Sequence, residues 1–392
     1  MTGKYPVRVG ITNFIGGNRE GKLKPAPNKD HLALDEVTIA EAMRDGGYKT
    51  FFAGKWHLGN GDYSPNFQGF GPDLEGSNQL YYTKSTVPPL DSKDDPKTTD
   101  RIADEAVRFI DAHKAEPFFA YLPFLAVHIP TDARKDLVEK YERKQKSAPK
   151  DKWGQDRESK VRLVQNDAAY AAMLEQMDLA IGRVLAALER NGLSGRTVVI
   201  FMSDNGGLAT AEGHPTSNLP LRAGKGWPYE GGVREPLIVK APGVAKAGSV
   251  CAAPVISTDF YPTILELAGL PPKPKQHIDG VSMMPLLKGK EMPQRPLFWH
   301  YPHYGNQGGA PCGAVRDGDW KLIEWYEDGS LELYNLKDDI GETKNLARAT
   351  PAKVKELHDK LVAWRKEVNA VMPTPNEDGG GKNKKTKKGT EA

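Results

Sequence analysis

RTVVIFMSDNGG, residues 196–207, decides how the rest of the chain reads. Val198 to Met202 is an unbroken apolar run, the composition of a strand buried on both faces rather than one with a wet side. It breaks into a polar, glycine-rich turn at Ser203, Asp204, Asn205, Gly206 and Gly207. In an open parallel sheet, ligands gather beyond the carboxyl ends of the strands, so this turn is a place for chemistry. A carboxylate beside an amide oxygen is a hard donor pair, suited to Ca²⁺ or Mg²⁺ rather than to zinc. The same letters also spell an ordinary Asp-Asn-Gly turn.

Working outward, PFFAYLPFLAVH (117–128) is a second continuous apolar run and EPLIVKAPG (235–243) a third. Helical patterns lie between the strands. DEVTIAEAMRDGGY reads as a helix capped at Asp35 and stopped by Gly46-Gly47. TDRIADEAVRFIDAHK sets Ile102, Ala106, Phe109 and Ile110 on one face. Ser159 to Asn191 reads as one long helix with Val161, Val164, Ala168, Ala172, Met177, Ile181, Val184 and Leu188 in phase, ended by Gly192. DFYPTILELAGL is a short helix. Strands alternating with helices predict an α/β fold: a mostly parallel sheet with helices on both faces.

Near Arg295 the rhythm changes. GAVRDGDWKLIEWYEDGSLELYNL predicts an antiparallel meander turning at Asp317-Gly318 and Asp328-Gly329, followed by a helix from Pro351 to about Val371. The expected division is a catalytic domain over 1–294, a small C-terminal antiparallel α+β subdomain over 295–374, and a basic, low-complexity, disordered tail over 375–392.

Composition narrows the function classes. The chain has 392 residues, 39% hydrophobic and 27% charged, ordinary values for a globular protein. A net charge of +3 gives no argument for a nucleic-acid partner, and no apolar stretch is long enough to span a membrane. Forty glycines and thirty prolines imply many turns and functional loops. The two cysteines, Cys251 and Cys312, allow one disulfide at most, and spacing does not say whether they meet.

Other predicted strand ends add polar groups. His128 follows the 117–127 run, and KTFFA is followed by Gly54, Lys55, Trp56, His57 and Gly59. An extended backbone there points Lys55 and His57 to one side. Lys225 sits between glycines in LRAGKGWPYEGGVREP. Each of these alone has a bland structural reading. Together, two lysines and two histidines beside an Asp-Asn pair make a site for a tetrahedral oxyanion. Cations hold its oxygens and imidazoles move protons. Sulfate and phosphate esters are the candidates. His214, Ser217 and Asn218 in GHPTSNLP, and His300 and His303 in HYPHY, are further candidates for contact with a sugar.

GKWHLG, the His of FLAVHIP, SDNGG and LRAGKGWPYEGGVREP stand in the order found in formylglycine-dependent (type I) sulfatases, so the chain resembles that family, in the alkaline phosphatase superfamily, from Met1 to about Val371. The flanking residues look most like bacterial arylsulfatase A-like enzymes, many of which act on sulfated polysaccharides. The resemblance implies that Asp204 and Asn205 are two of four ligands to Ca²⁺, with Mg²⁺ the weaker fit. It implies that Lys55 and Lys225 hold sulfate oxygens, that His128 helps protonate the leaving alcohol, and that His57 takes a proton from the covalent sulfated intermediate. The partner would be a small-molecule or carbohydrate sulfate ester. Full-length relatives would be periplasmic or secreted.

One part of the pattern is missing. The family's nucleophile is a formylglycine made from Cys in a Cys-x-Pro-x-Arg type motif, followed after a short helical run by something like Thr-Gly-Lys-Tyr-Pro. Here that later stretch is Thr2 to Pro6. The expectation is therefore an N-terminally truncated chain without nucleophile, without the Asp-Asp pair of the first strand, and without an export leader. It should fold poorly, bind Ca²⁺ weakly and hydrolyse nothing. Cys251 lacks the arginine; Cys312 has Arg316 at the right offset but reads as a strand residue. Two alternatives remain open: a phosphate or phosphonate monoesterase of the same superfamily, and a non-catalytic protein that binds sulfated glycans without Ca²⁺.

Overall fold

Thr38, not Asp35, starts the first long helix of the computed structural model, α1 (Ile39–Asp45). The Thr38 hydroxyl accepts the Glu41 N–H at 3.1 Å and the Glu41 carboxylate accepts the Thr38 N–H at 2.8 Å. That capping box needs an acid three residues on; Asp35 has Thr38 there and cannot close one. The structure describes residues 1–17, 19–71, 81–82, 86–87 and 98–377.

Strand β1 (Lys49–Phe52) pairs in parallel with β2 (Phe118–Tyr121), Lys49 opposite Phe118. Helix α2 (Thr98–Ala112) joins them and buries Ile102, Ala106, Phe109 and Ile110, as its periodicity predicts. The Phe109 ring stacks on Phe51 at 4.5 Å.

Residues 153–191 correct the long-helix expectation. They form a hairpin, β3 (Trp153–Asp156) and β4 (Ser159–Arg162), and then helix α4 (Ala168–Arg190), with α3 (Lys135–Gln145) before the hairpin. Asp167 caps α4 by accepting the Tyr170 N–H at 2.8 Å. Val161 matched the helical phase by coincidence; it is a buried strand residue.

Strand β5 (Val199–Met202) pairs with β6 (Leu237–Lys240), and does so antiparallel. β2 and β5 rest on the same helices, since Phe118 and Val199 both pack against Ile110, Ala187 and Leu188. On the other side Phe119 packs against α1 and α5 (Phe260–Leu267). Helices thus cover both faces. Among the described residues β2 and β5 are not hydrogen-bonded to each other. Among the described residues each has a ladder on one side only, and Tyr121, Val198 and Met202 keep 41%, 37% and 37% of their surface, so both faces are covered but burial is incomplete along the open edges.

The C-terminal sheet has the order β7 (Leu297–Tyr301), β8 (Cys312–Asp317), β9 (Trp320–Trp325), β10 (Leu331–Asn335), antiparallel throughout. Helix α6 (Pro351–Glu367), four residues shorter than expected, lays Leu357, Leu361 and Trp364 on Phe298, Val315, Leu322 and Leu333. Pro375 pairs with Leu23, and the Asn376 N–H donates to the Lys22 carbonyl at 3.0 Å. The first residues assigned to the tail are therefore held; 378–392 lie outside the described residues.

Candidate active site

Backbone packed on backbone builds the cleft. A Cβ on Gly206 would sit 1.7 Å from the Gly231 carbonyl oxygen, so the turn after β5 and the 222–232 loop close only through glycines. The Gly206 N–H donates to Gly232 at 3.3 Å and the Lys225 N–H to Gly207 at 3.2 Å. Asn218 locks the pair. Its Oδ1 accepts the Gly207 N–H at 3.0 Å, and its Nδ2 donates to the Gly207 and Ala223 carbonyls at 2.8 Å each. Lys225 is thereby fixed beside Asp204 and Asn205.

Lys55 and His57 arrive from β1. Gly54 has φ 141°, and a Cβ there would lie 2.1 Å from the Pro123 carbonyl oxygen. The Lys55 N–H then donates to that carbonyl at 2.8 Å, and Trp56, buried, donates its indole N–H to Tyr63 at 3.0 Å. With Trp56 facing inward, its two neighbours face out. His128 follows β2.

The charges of these side chains act on one another. Partial desolvation pushes His57 below the ordinary imidazole range, and the charges of Lys55, His128 and Lys225 push it further. His128 is lowered first by desolvation, then by Lys225 and Lys55, against a small pull from Glu212. Lys225 is lowered by burial and by Lys55, while Asp204 and Glu212 oppose the fall. Lys55, His57, His128 and Lys225 thus lie within electrostatic reach of one another, and Asp204 within reach of Lys225.

The imidazole tautomers follow from their partners. His57 Nε2 lies 3.1 Å from the Ile15 carbonyl and His128 Nδ1 lies 2.7 Å from the Ile129 carbonyl. Carbonyls only accept, so in the neutral rings these nitrogens hold the hydrogens. His57 Nδ1 and His128 Nε2 are left as the basic positions.

Asp204 and Asn205 bring two oxygen donors side by side. Asn205 donates Nδ2 to the Gly206 carbonyl at 2.9 Å, which leaves Oδ1 for a cation next to the exposed Asp204. Two adjacent residues are too few for the six to eight oxygens Ca²⁺ takes. Among the described residues no group of three or more His, Cys, Asp or Glu converges on a metal position. Glu235, missed in the sequence, lies near Asp204. Desolvation and that charge raise it to about 7, and its Oε1 is buried without a hydrogen-bond partner.

Other candidates are placed elsewhere. Asn218 is spent on the backbone clamp, and Ser217 is buried, its carbonyl accepting from Gln165 at 2.6 Å. His300 uses both nitrogens, 2.9 Å from the Tyr326 hydroxyl and 3.0 Å from the Val371 carbonyl. His303 is 2% exposed, with Nε2 2.7 Å from the Thr12 hydroxyl. These are structural positions, because each polar atom is already matched or sealed from solvent. His214 packs edge-on against Trp153, centroids 5.3 Å apart. Cys251 is free and exposed, while Cys312 is free, buried in β8 and pushed up to about 12 by desolvation, with no tendency to form a thiolate.

Comparisons with known proteins show the family. The sulfatase family profile matches residues 1–270, and the N-sulphoglucosamine sulphohydrolase C-terminal profile matches 223–367. A sulfatase of Formosa agariphila is 38% identical, aligned over 94% of this chain and 78% of its own length. Human arylsulfatase A is 29% identical over 95% of this chain and 78% of its own. Among solved structures, Ps i-CgsB in complex with k-i-k-neocarrahexaose superposes with a TM-score of 0.72 at 25% identity, covering 93% of this chain and 80% of that one. Among the described residues no helix is long and apolar enough to cross a membrane.

Proposed function

The chain belongs to the sulfatase family, whose members hydrolyse sulfate esters, and from that premise we propose that its cleft takes the sulfate monoester of a carbohydrate. The supporting observation is that desolvation and then neighbouring positive charge lower all three groups: Lys55 acts on His57, His128 and Lys225, Lys225 acts on both histidines, and His128 acts on His57. Like charges crowded at a cleft mouth have no structural use; an anion relieves them. Carbohydrate substrates are favoured by relatives such as mouse N-acetylgalactosamine-6-sulfatase, 28% identical over 92% of this chain.

The roles follow from the free atoms. The Lys55 and Lys225 ammonium groups hold sulfate oxygens and draw charge from sulfur. At neutral pH both imidazoles are mostly uncharged, so Lys225 is the cleft's resident proton carrier near the leaving oxygen. His128 Nε2 shares that proton, and His57 Nδ1 accepts one. Asp204 and Asn205 supply two oxygens suited to Ca²⁺, with Mg²⁺ the poorer fit. An aldehyde hydrate attacking sulfur has no precursor in these 392 residues. Of two cysteines, Cys251 lacks the arginine and Cys312 is buried. The chain as it stands binds the ester and does not turn it over.

Titration of inorganic sulfate into the protein, followed by ¹⁵N-labelled Lys and His resonances, tests this. Lys225→Ala and Lys55→Ala should each weaken binding about tenfold. Unchanged affinity in both variants removes the reading, and turnover of an aryl sulfate by this chain removes the claim of inactivity.

A further inference from the structure

The β3–β4 hairpin has two unlike faces. In its antiparallel register Trp153 faces Arg162 and Gln155 faces Lys160, so these four side chains share one face. Asp156 lies on the other, where Arg222 Nε neutralises it at 2.6 Å. Arg162 is buried and ion-paired to Asp151 at 2.9 Å, so the open charge of the first face is that of Lys160 beside the Trp153 ring. Lys160 Nζ stands 3.7 Å from the Trp153 ring centroid and the Arg162 guanidinium 5.6 Å from it. His214 closes the far edge of the ring. Residues 143–162 hold eight lysines and arginines against three carboxylates, a net charge of +5, more than the +3 of the whole chain. Lys150, Lys152 and Lys160 are exposed, and none of them makes an ion pair with a described carboxylate.

This hairpin is tied to the segment that holds Lys225. The Arg162 N–H donates to the Ala209 carbonyl at 2.9 Å and its guanidinium to the His214 carbonyl at 2.8 Å. Ala209 is two residues past Gly207, whose carbonyl holds the Lys225 N–H. One short segment thus connects Lys225 to the hairpin, and Arg222 ties the opposite face to the loop that bears Lys225.

We propose that the Trp153–Lys160 face, with Lys150 and Lys152 beside it, is a second anion-binding subsite for a further sulfated unit of an oligosaccharide whose target ester lies in the Lys55–Lys225 cleft, an inference that rests on the function assigned above. An indole face takes the apolar face of a sugar ring, and an ammonium held only by that ring turns to a sulfate at little cost. The substrate class becomes a polysulfated oligosaccharide rather than an isolated sulfate ester.

The test compares two probes by calorimetry on the full chain: inorganic sulfate, whose cleft share is the part that Lys225→Ala removes, and a heparin hexasaccharide, which reads both sites. Lys152→Gln with Lys160→Gln, both exposed and outside the Lys55–Lys225 pair, should weaken the hexasaccharide about five- to tenfold and leave the Lys225-dependent binding of inorganic sulfate within roughly twofold. Hexasaccharide affinity unmoved by the double substitution overturns the subsite. Loss of hexasaccharide affinity in a protein that takes no inorganic sulfate supports the hairpin subsite and overturns the cleft instead.

Discussion

His303 offers the sharpest check on how this site is bounded. Its sequence context, HYPHY, suggests a sugar contact; its position says core. The ring is 2% exposed, Nε2 lies 2.7 Å from the Thr12 hydroxyl, and the Tyr301 ring meets it edge-on at 5.5 Å. Burial pushes its pKa down to about 4, with the neighbouring His300 adding a little. The native protein therefore resists a proton that the unfolded chain accepts near pH 6.5. Stability from this group is complete above about pH 6.5 and is lost as pH falls toward 4. A shift of this size is worth about 3 kcal/mol over the whole window, of which about 2 kcal/mol falls between about pH 7 and pH 5.

The assay is urea denaturation of wild type and His303→Asn at those two pH values. Asn keeps a polar group for Thr12 and removes the titration. Because His57, His128 and His300 are also lowered, the wild type loses more than His303 alone accounts for. The quantity that matters is the difference between the two proteins, expected at about 2 kcal/mol. If the variant loses as much stability as wild type on acidification, His303 titrates normally, and the assignment of HYPHY to the core is wrong.

Three other outcomes follow from the same coordinates. Gly206→Ala forces a methyl to within 1.7 Å of the Gly231 carbonyl, so it should part the two loops and abolish sulfate binding, with far-UV circular dichroism retained. Lys321→Met leaves Glu230 and Glu342 buried without their shared cation and should cost about 3–5 kcal/mol in urea; adding Glu230→Gln and Glu342→Gln should recover part of it. Sulfate affinity, read by calorimetry, should rise as pH falls through the lowered ranges of His57 and His128, and His57→Gln with His128→Gln should flatten that rise.

Much of the site was legible because its residues obey local rules. Gly206, Gly231 and Gly54 are where backbone touches backbone, and glycine-flanked polar residues at strand ends are readable without a structure. What misled was periodicity without caps. Val161 and Val164 fell into the phase of α4 by chance, and Asp167, the true cap, lay inside the presumed helix. Histidines misled for a different reason. His300 and His303 look like surface ligands in sequence, yet their ring nitrogens are matched by partners from distant segments: Val371, Tyr326 and Thr12. Glu235 was invisible because its raised pKa comes from burial beside Asp204, a neighbour 31 positions away.

The C-terminal sheet is part of the site's scaffold, not an appendage. Lys321, on β9 and fully buried, pairs with Glu230 at 2.9 Å and Glu342 at 3.1 Å, and Glu342 also accepts the Glu230 N–H at 2.6 Å. Arg222 donates to the Tyr334 hydroxyl at 3.0 Å and to the Glu342 carbonyl at 2.9 Å. Gln307, from the loop after β7, takes its place against Gly226, and its carbonyl accepts the Trp227 indole N–H at 2.9 Å. All these contacts land on the 222–232 loop, within two to five residues of Lys225 or directly beside it. The position of Lys225 is therefore set from two sides. Gly206 and Asn218 fix it from the α/β sheet, and a buried ion pair fixes it from the meander. The two family profiles overlap over residues 223–270, a span that begins at this shared loop. A cut placed near residue 295 would leave Lys225 in the larger piece but remove Lys321, Tyr334 and Glu342, and with them half of what holds it.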